Sequence, residues 1–136
     1  MTRYIAIIDY DQDEDVFGAY FPDAPGCTAM GKTEDEVIAN ATEALSEWAA
    51  DERAAGNELA RARSYVQLLK SKEYGLGQNG MVAFIPLILE TGKVIRANIS
   101  IDAGLLTSID EEATRQGITR SAYLAAAARE RIRSHA

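Results

Sequence analysis

From Tyr4 to Tyr10 the chain carries Ile5 and Ile7 on one face of an extended backbone and Ala6 and Ile8 on the other. Apolar residues on both faces predict a central strand buried on two sides. The acidic stretch Asp11-Gln-Asp-Glu-Asp15 turns the chain, and Val16–Phe21 returns as a second strand across a loop longer than the two-residue minimum. Pro22-Asp-Ala-Pro-Gly26 combines φ-restricted and φ-permissive residues, a turn that leads into a short third strand near Cys27–Met30. Thr33-Glu-Asp-Glu36 then reads as a capping box, with carboxylates where the helix dipole favours them. Val37, Ala41, Leu45 and Trp48 recur at helical spacing and predict the inner face of a long helix ending near Gly56. A shorter helix is expected around Arg63–Lys72, with Val66 and Leu69 turned inward and Leu68 as a further candidate. After the Gly75–Gly80 loop, Met81–Leu89 predicts a fourth strand, and Pro86 puts it at an edge or breaks it near its end.

Past the short linker Glu90-Thr-Gly92 the period is two again. Ile95, Ala97, Ile99 and Ile101 alternate with Arg96, Asn98 and Ser100, which predicts a strand with one apolar and one polar face. The polar face offers a cation, an amide and a hydroxyl. Such groups hydrogen-bond base edges in a major groove, which admits a two-stranded ribbon. One strand has no partner in this segment, so the ribbon requires a second copy of the chain. Asp102 is placed to cap a helix in which Leu105, Leu106, Ile109 and Ala113 share a face. Gly117 ends it as a left-handed residue, with Ile118 covering the end. Thr119 caps a second helix with the stripe Leu124, Ala128 and Ile132, widened by Tyr123 and Ala127. Helices this short bury too little alone and need a dimer to make a core. The strand by itself suits any solvated amphipathic surface; the Gly turn and the two helices turn the reading toward DNA.

Strand, helix, Gly-containing turn and helix over about 93–134 resemble the ribbon-helix-helix family of bacterial repressors. The resemblance implies base reading by Arg96, Asn98 and Ser100, with Lys93 at the start of the strand. It implies that Thr119, Arg120 and Ser121 hold a DNA phosphate at the second helix's N-terminus, a site suited to anions on electrostatic grounds.

A second and more specific resemblance covers Tyr20 to Leu45. Tyr20-Phe-Pro-Asp-Ala-Pro-Gly-Cys, followed by the capped helix after Gly31-Lys-Thr33, is similar to the signature of HicB antitoxins. That resemblance implies an α+β fold: a partial RNase H-like β-β-β-α-(α)-β domain over 1–90, then a ribbon-helix-helix module over 91–136. It implies a type II antitoxin whose N-terminal domain binds and occludes a HicA-like toxin, a small basic protein that cleaves mRNA with a histidine. Tyr20, Phe21, Pro22, Asp23 and Pro25 are the candidate toxin-binding residues; Tyr20, Phe21 and Pro22 are equally readable as core. The C-terminal module would form a homodimer on the operator of its own operon, with tetramers an open extension. A stand-alone repressor whose N-terminal domain senses a ligand would show much the same C-terminus.

Charge divides the chain in the same place. Its formal net charge is −7; residues 1–92 hold 7 basic and 16 acidic residues (−9), and residues 93–136 hold 7 and 5 (+2). An acidic body is repelled by DNA and suits a basic protein partner, whereas the tail is mildly attracted to phosphate. Plain solubility explains an acidic surface as well. The longest apolar run, Met81 to Leu89, falls short of the roughly 20 residues of a membrane helix. The N-terminus lacks a secretory pattern, and a single cysteine excludes an internal disulfide, so the expected location is cytoplasmic, with no membrane partner.

Catalysis is not expected. A two-metal nuclease on an RNase H-like core needs carboxylates converging from several strands. Asp9 is the one acidic residue well placed on a strand; Asp11, Asp13, Glu14 and Asp15 read as a solvated turn. Cys27 has no neighbouring histidine, since the only one, His135, lies at the C-terminus. One Cys and one His make a structural zinc site improbable. Trp48 belongs to the helical stripe. Gly75, Gly77 and Gly80 lack the Lys-Ser/Thr of a phosphate loop. No metal or cofactor is implied.

Overall fold

β1 (Arg3–Asp11) pairs antiparallel with β2 (Val16–Tyr20) on one side and β4 (Gly80–Pro86) on the other, and β2 pairs with β3 (Thr28–Gly31). The result is an antiparallel sheet of order β3-β2-β1-β4. Tyr4 through Ile8 are all buried, as apolar residues on both faces of an inner strand require. β4 is an edge strand ending at Pro86, whose missing N–H cannot extend a ladder. The computed structural model describes residues 2–72 and 80–134. The expected loop at 75–79 and His135 lie outside the described residues.

α1 (Glu34–Ala54) crosses β3, β2 and β4. Thr33 Oγ1 accepts from the Glu36 N–H at 3.1 Å, and Glu34, Asp35 and Glu36 fill the first turn. Val37, Ala41, Leu45 and Ala49 are buried against Tyr4, Ala6, Ile8, Ala19 and Ile85. Trp48 is only partly buried at the edge of this cluster. Gly31 lets the helix approach the sheet: a Cβ there would stand 2.4 Å from the backbone nitrogen of Val37.

α2 (Tyr65–Ser71) is shorter than its sequence pattern predicts. Ser64 and Gln67 cap it reciprocally in a capping box. Leu68 alone is fully buried; Val66 and Leu69 are 54% and 43% exposed, which reverses the expectation that put Val66 and Leu69 inward ahead of Leu68. At about 100° per residue, Val66 and Leu69 lie roughly 60° apart on one side of the helix and both face away from Leu68, so burying Leu68 turns the other two toward solvent.

The chain divides into two compact units, 1–89 and 90–135. The second holds α3 (Ala103–Gln116) and α4 (Arg120–Ser134). Asp102 Oδ2 accepts from the Leu105 N–H at 3.0 Å. Gly117, at φ +71°, closes α3: its N–H reaches Thr114 O at 3.0 Å and that of Ile118 reaches Ala113 O at 2.9 Å, both bonds of a Schellman cap. Thr119 Oγ1 accepts from the Ala122 N–H at 3.1 Å and caps α4. Among the described residues of this unit only Ile109 and Ala113 are buried. Among the described residues the strand expected over 93–102 forms no ladder, and no second strand stands beside it. Ile95 and Ile99 are accordingly 77% and 66% exposed.

Candidate functional site

The turn after β2 is two consecutive β-turns, with Ala24 N–H donating to Phe21 O at 3.2 Å and Cys27 N–H to Ala24 O at 3.0 Å. Gly26 sits at φ +85°, a conformation that favours glycine. Asp23 is buried, and its carboxylate accepts from the Arg63 backbone N–H at 2.7 Å and from Arg63 Nε at 2.8 Å. Trp48 Nε1 donates to Pro25 O at 3.1 Å, and the Tyr4 hydroxyl donates to Ala60 O at 2.6 Å. The rings of Tyr4 and Trp48 meet edge to face at 6.4 Å. Burial, followed by the Asp23 charge, raises the Tyr4 phenol above its ordinary value. The turn is therefore fastened both to α1 and to the connection before α2.

This placement revises what the signature residues can offer a partner. Phe21, Pro22 and Asp23 are buried, Tyr20 is half-buried and Pro25 is exposed. Burial assigns Phe21 and Pro22 to the core and Asp23 to a structural ion pair, leaving Tyr20 and Pro25 with accessible surface. Arg63, the partner that makes Asp23 tolerable inside, went unnoticed in the sequence. Forty residues separate the pair, and no periodicity links them.

In the second unit Arg96, Asn98 and Ser100 are exposed, and none makes a side-chain hydrogen bond or ion pair among the described residues. Asn98 and Ser100 line one open cleft together with Leu106, Arg120, Ser121 and Leu124. Lys93 and Arg96 lie outside the lining of that cleft. Arg120 is held by Asp110 of α3 through two hydrogen bonds, of 2.8 and 2.7 Å, which draw the Asp110 carboxyl below its ordinary value. Asp110 is a second residue that sequence patterning missed. Arg129 pairs with Glu90 at 2.5 Å, and Arg115 pairs with Glu112.

The other reactive groups are accounted for locally. Cys27 is buried, and burial together with the Glu47 charge pushes its thiol up to about 11, so it is a poor nucleophile at neutral pH. Asp11, the last residue of β1 where the sequence suggested a loop position, accepts through Oδ1 from the N–H groups of Asp13 and Glu14, and Asp15 accepts from the Tyr10 hydroxyl at 2.5 Å. Among the described residues no group of three His, Cys, Asp or Glu side chains could hold a metal ion, and no helix is long and apolar enough to cross a membrane.

These features define a two-unit α+β protein, in which an acidic single-sheet body precedes a helical unit carrying an uncovered, strand-like segment. Residues 4–128 match the family described as HicB-like antitoxin of bacterial toxin–antitoxin system. The chain belongs to that family. Its structure is similar to the antitoxin HicB of Burkholderia pseudomallei, with 30% identity over 97% of both chains and a TM-score of 0.54. The N-terminal domain of the same antitoxin, solved separately, matches 65% of this chain over its whole length at 26% identity and a TM-score of 0.54. Antitoxin HicB3 matches 96% of this chain and 98% of its own at 28% identity and a TM-score of 0.51. No curated protein matches the sequence.

Proposed function

We propose that this antitoxin neutralises a HicA-like, mRNA-cleaving toxin with residues 1–90 and represses its own operon with residues 91–136. The N-terminal body has the partial RNase H-like form of HicB proteins, and its −9 charge suits a small basic partner. Tyr20 and Pro25 are the signature residues whose surface is open to that partner, on a turn made rigid by Phe21, Pro22 and Asp23. The C-terminal module is a ribbon-helix-helix homodimer.

The observation that carries the second half is the segment 93–101. Its apolar set is solvent-exposed in a single chain while its polar set points to no partner, an arrangement that pairing with a second copy resolves. In that dimer Arg96, Asn98 and Ser100 of both chains enter the major groove, Lys93 supports them, and Thr119–Ser121 take phosphate at the α4 N-terminus. The test is a gel shift on the DNA upstream of this chain's own gene, with and without the co-expressed toxin. The proposal expects a shift in both cases and a co-purifying toxin. A shift with no toxin complex would leave a stand-alone repressor, and a complex with no shift would leave an antitoxin without autorepression.

A further inference from the structure

Arg120 opens α4 in the cleft it shares with Asn98, Ser100 and Ser121. Its guanidinium is already engaged. Nε donates to Asp110 Oδ1 at 2.8 Å and Nη2 donates to Asp110 Oδ2 at 2.7 Å. Two parallel bonds from one guanidinium to two oxygens are also the geometry with which arginine grips a phosphate. Asp110 comes from the preceding helix, and both side chains are exposed, at 43% and 54%. An ion pair open to solvent contributes little and is exchangeable for a stronger anion.

We propose that Asp110 attenuates DNA binding by occupying Arg120 as an internal substitute for a backbone phosphate. The inference rests on the DNA-binding reading of residues 91–136. On DNA, Arg120 exchanges Asp110 for a phosphate oxygen, and part of the binding free energy goes into breaking the pair. Removing the carboxylate charge leaves the same cation with no competing anion. The gain is independent of sequence, because phosphate contacts position a protein without reading bases.

The experiment is fluorescence anisotropy of the full chain on two duplexes, one from upstream of its gene and one of scrambled sequence, across a salt series. Asp110→Asn should tighten binding to both duplexes by roughly fivefold, the scale of an exposed ion pair released in each subunit. It should leave the slope of log K against log salt near that of wild type, because Arg120 reaches the same phosphate in both complexes. The gain should vanish when Asp110→Asn is made on an Arg120→Gln background. Glu112→Gln, which removes a like charge from the same helix, should leave affinity near wild type. Equal or weaker binding by Asp110→Asn, or a gain that survives Arg120→Gln, or an equal gain from Glu112→Gln, would each overturn the proposal. A lowered melting temperature without tighter binding would make the pair a strap between α3 and α4. If neither the wild type nor any variant binds either duplex, the DNA-binding reading itself fails.

Discussion

Single residues decide whether the N-terminal sheet and its helix can meet. Gly31 is the sharpest case, because the atoms a Cβ would strike belong to the backbone of Glu36 and Val37 and cannot rotate away. Gly31→Ala should destabilise the protein by about 1–3 kcal/mol, the range for forced overpacking, read as a lowered urea midpoint with an unchanged m-value. An unchanged midpoint would mean that α1 does not start this close to β3. Cys27 supplies a pH test. Its folded thiol titrates near 11 against an ordinary 9.0, so the folded state holds the proton more tightly. Its contribution to stability is complete below pH 9 and is lost as pH rises toward 11. Alkylation of the native protein at pH 8 should accordingly lag far behind that of the urea-unfolded chain; equal rates would show an accessible thiol.

At the scale of elements, the segment 93–101 is the one that a single chain leaves unfinished. Ile95 and Ile99 project a row of apolar surface with nothing on it, and α4 buries no residue at all. Ile99→Asp places a charge where the proposed dimer packs its second strand, so the full-length protein should become monomeric by light scattering. A dimer that survives this change would place the self-association elsewhere. Apolar residues on both faces predicted the buried run of β1, and spacing predicted α1, α3, α4 and the caps at Thr33, Asp102, Gly117 and Thr119. These are local rules, readable within a few residues. Long-range pairings were illegible for the complementary reason. Asp23 with Arg63 and Asp110 with Arg120 join residues whose separation carries no period. The signature turn was legible as a motif, but the inward orientation of Phe21, Pro22 and Asp23 depends on the distant partners that cover them. In α2, Val66 and Leu69 share one side of the helix, but the side that is covered carries Leu68, about 100° or more away from both.

Over the whole molecule, the two units divide the proposed labour. Unit 1–89 has its own sheet and its own apolar cluster, whereas unit 90–135 has two buried residues among those described and an open strand-like segment. Residues 1–90 alone should therefore fold as a soluble domain with a cooperative thermal transition; aggregation would show that the body needs the tail. The division also predicts separable phenotypes. Arg96→Ala should weaken operator binding by roughly 1–3 kcal/mol, as expected for loss of a bidentate base contact, and leave toxin neutralisation intact. Loss of both activities would show that Arg96 supports the fold instead of reading DNA.

Growth rescue tests the antitoxin reading most directly. A small basic protein encoded beside this chain, where a toxin partner is expected, is induced alone, and again with full-length antitoxin supplied from a second promoter so that autorepression plays no part. Arrest is expected in the first culture, growth in the second, and a stable complex of the two proteins on purification. Arrest in both cultures, with the antitoxin folded and expressed but no complex formed, would contradict that reading.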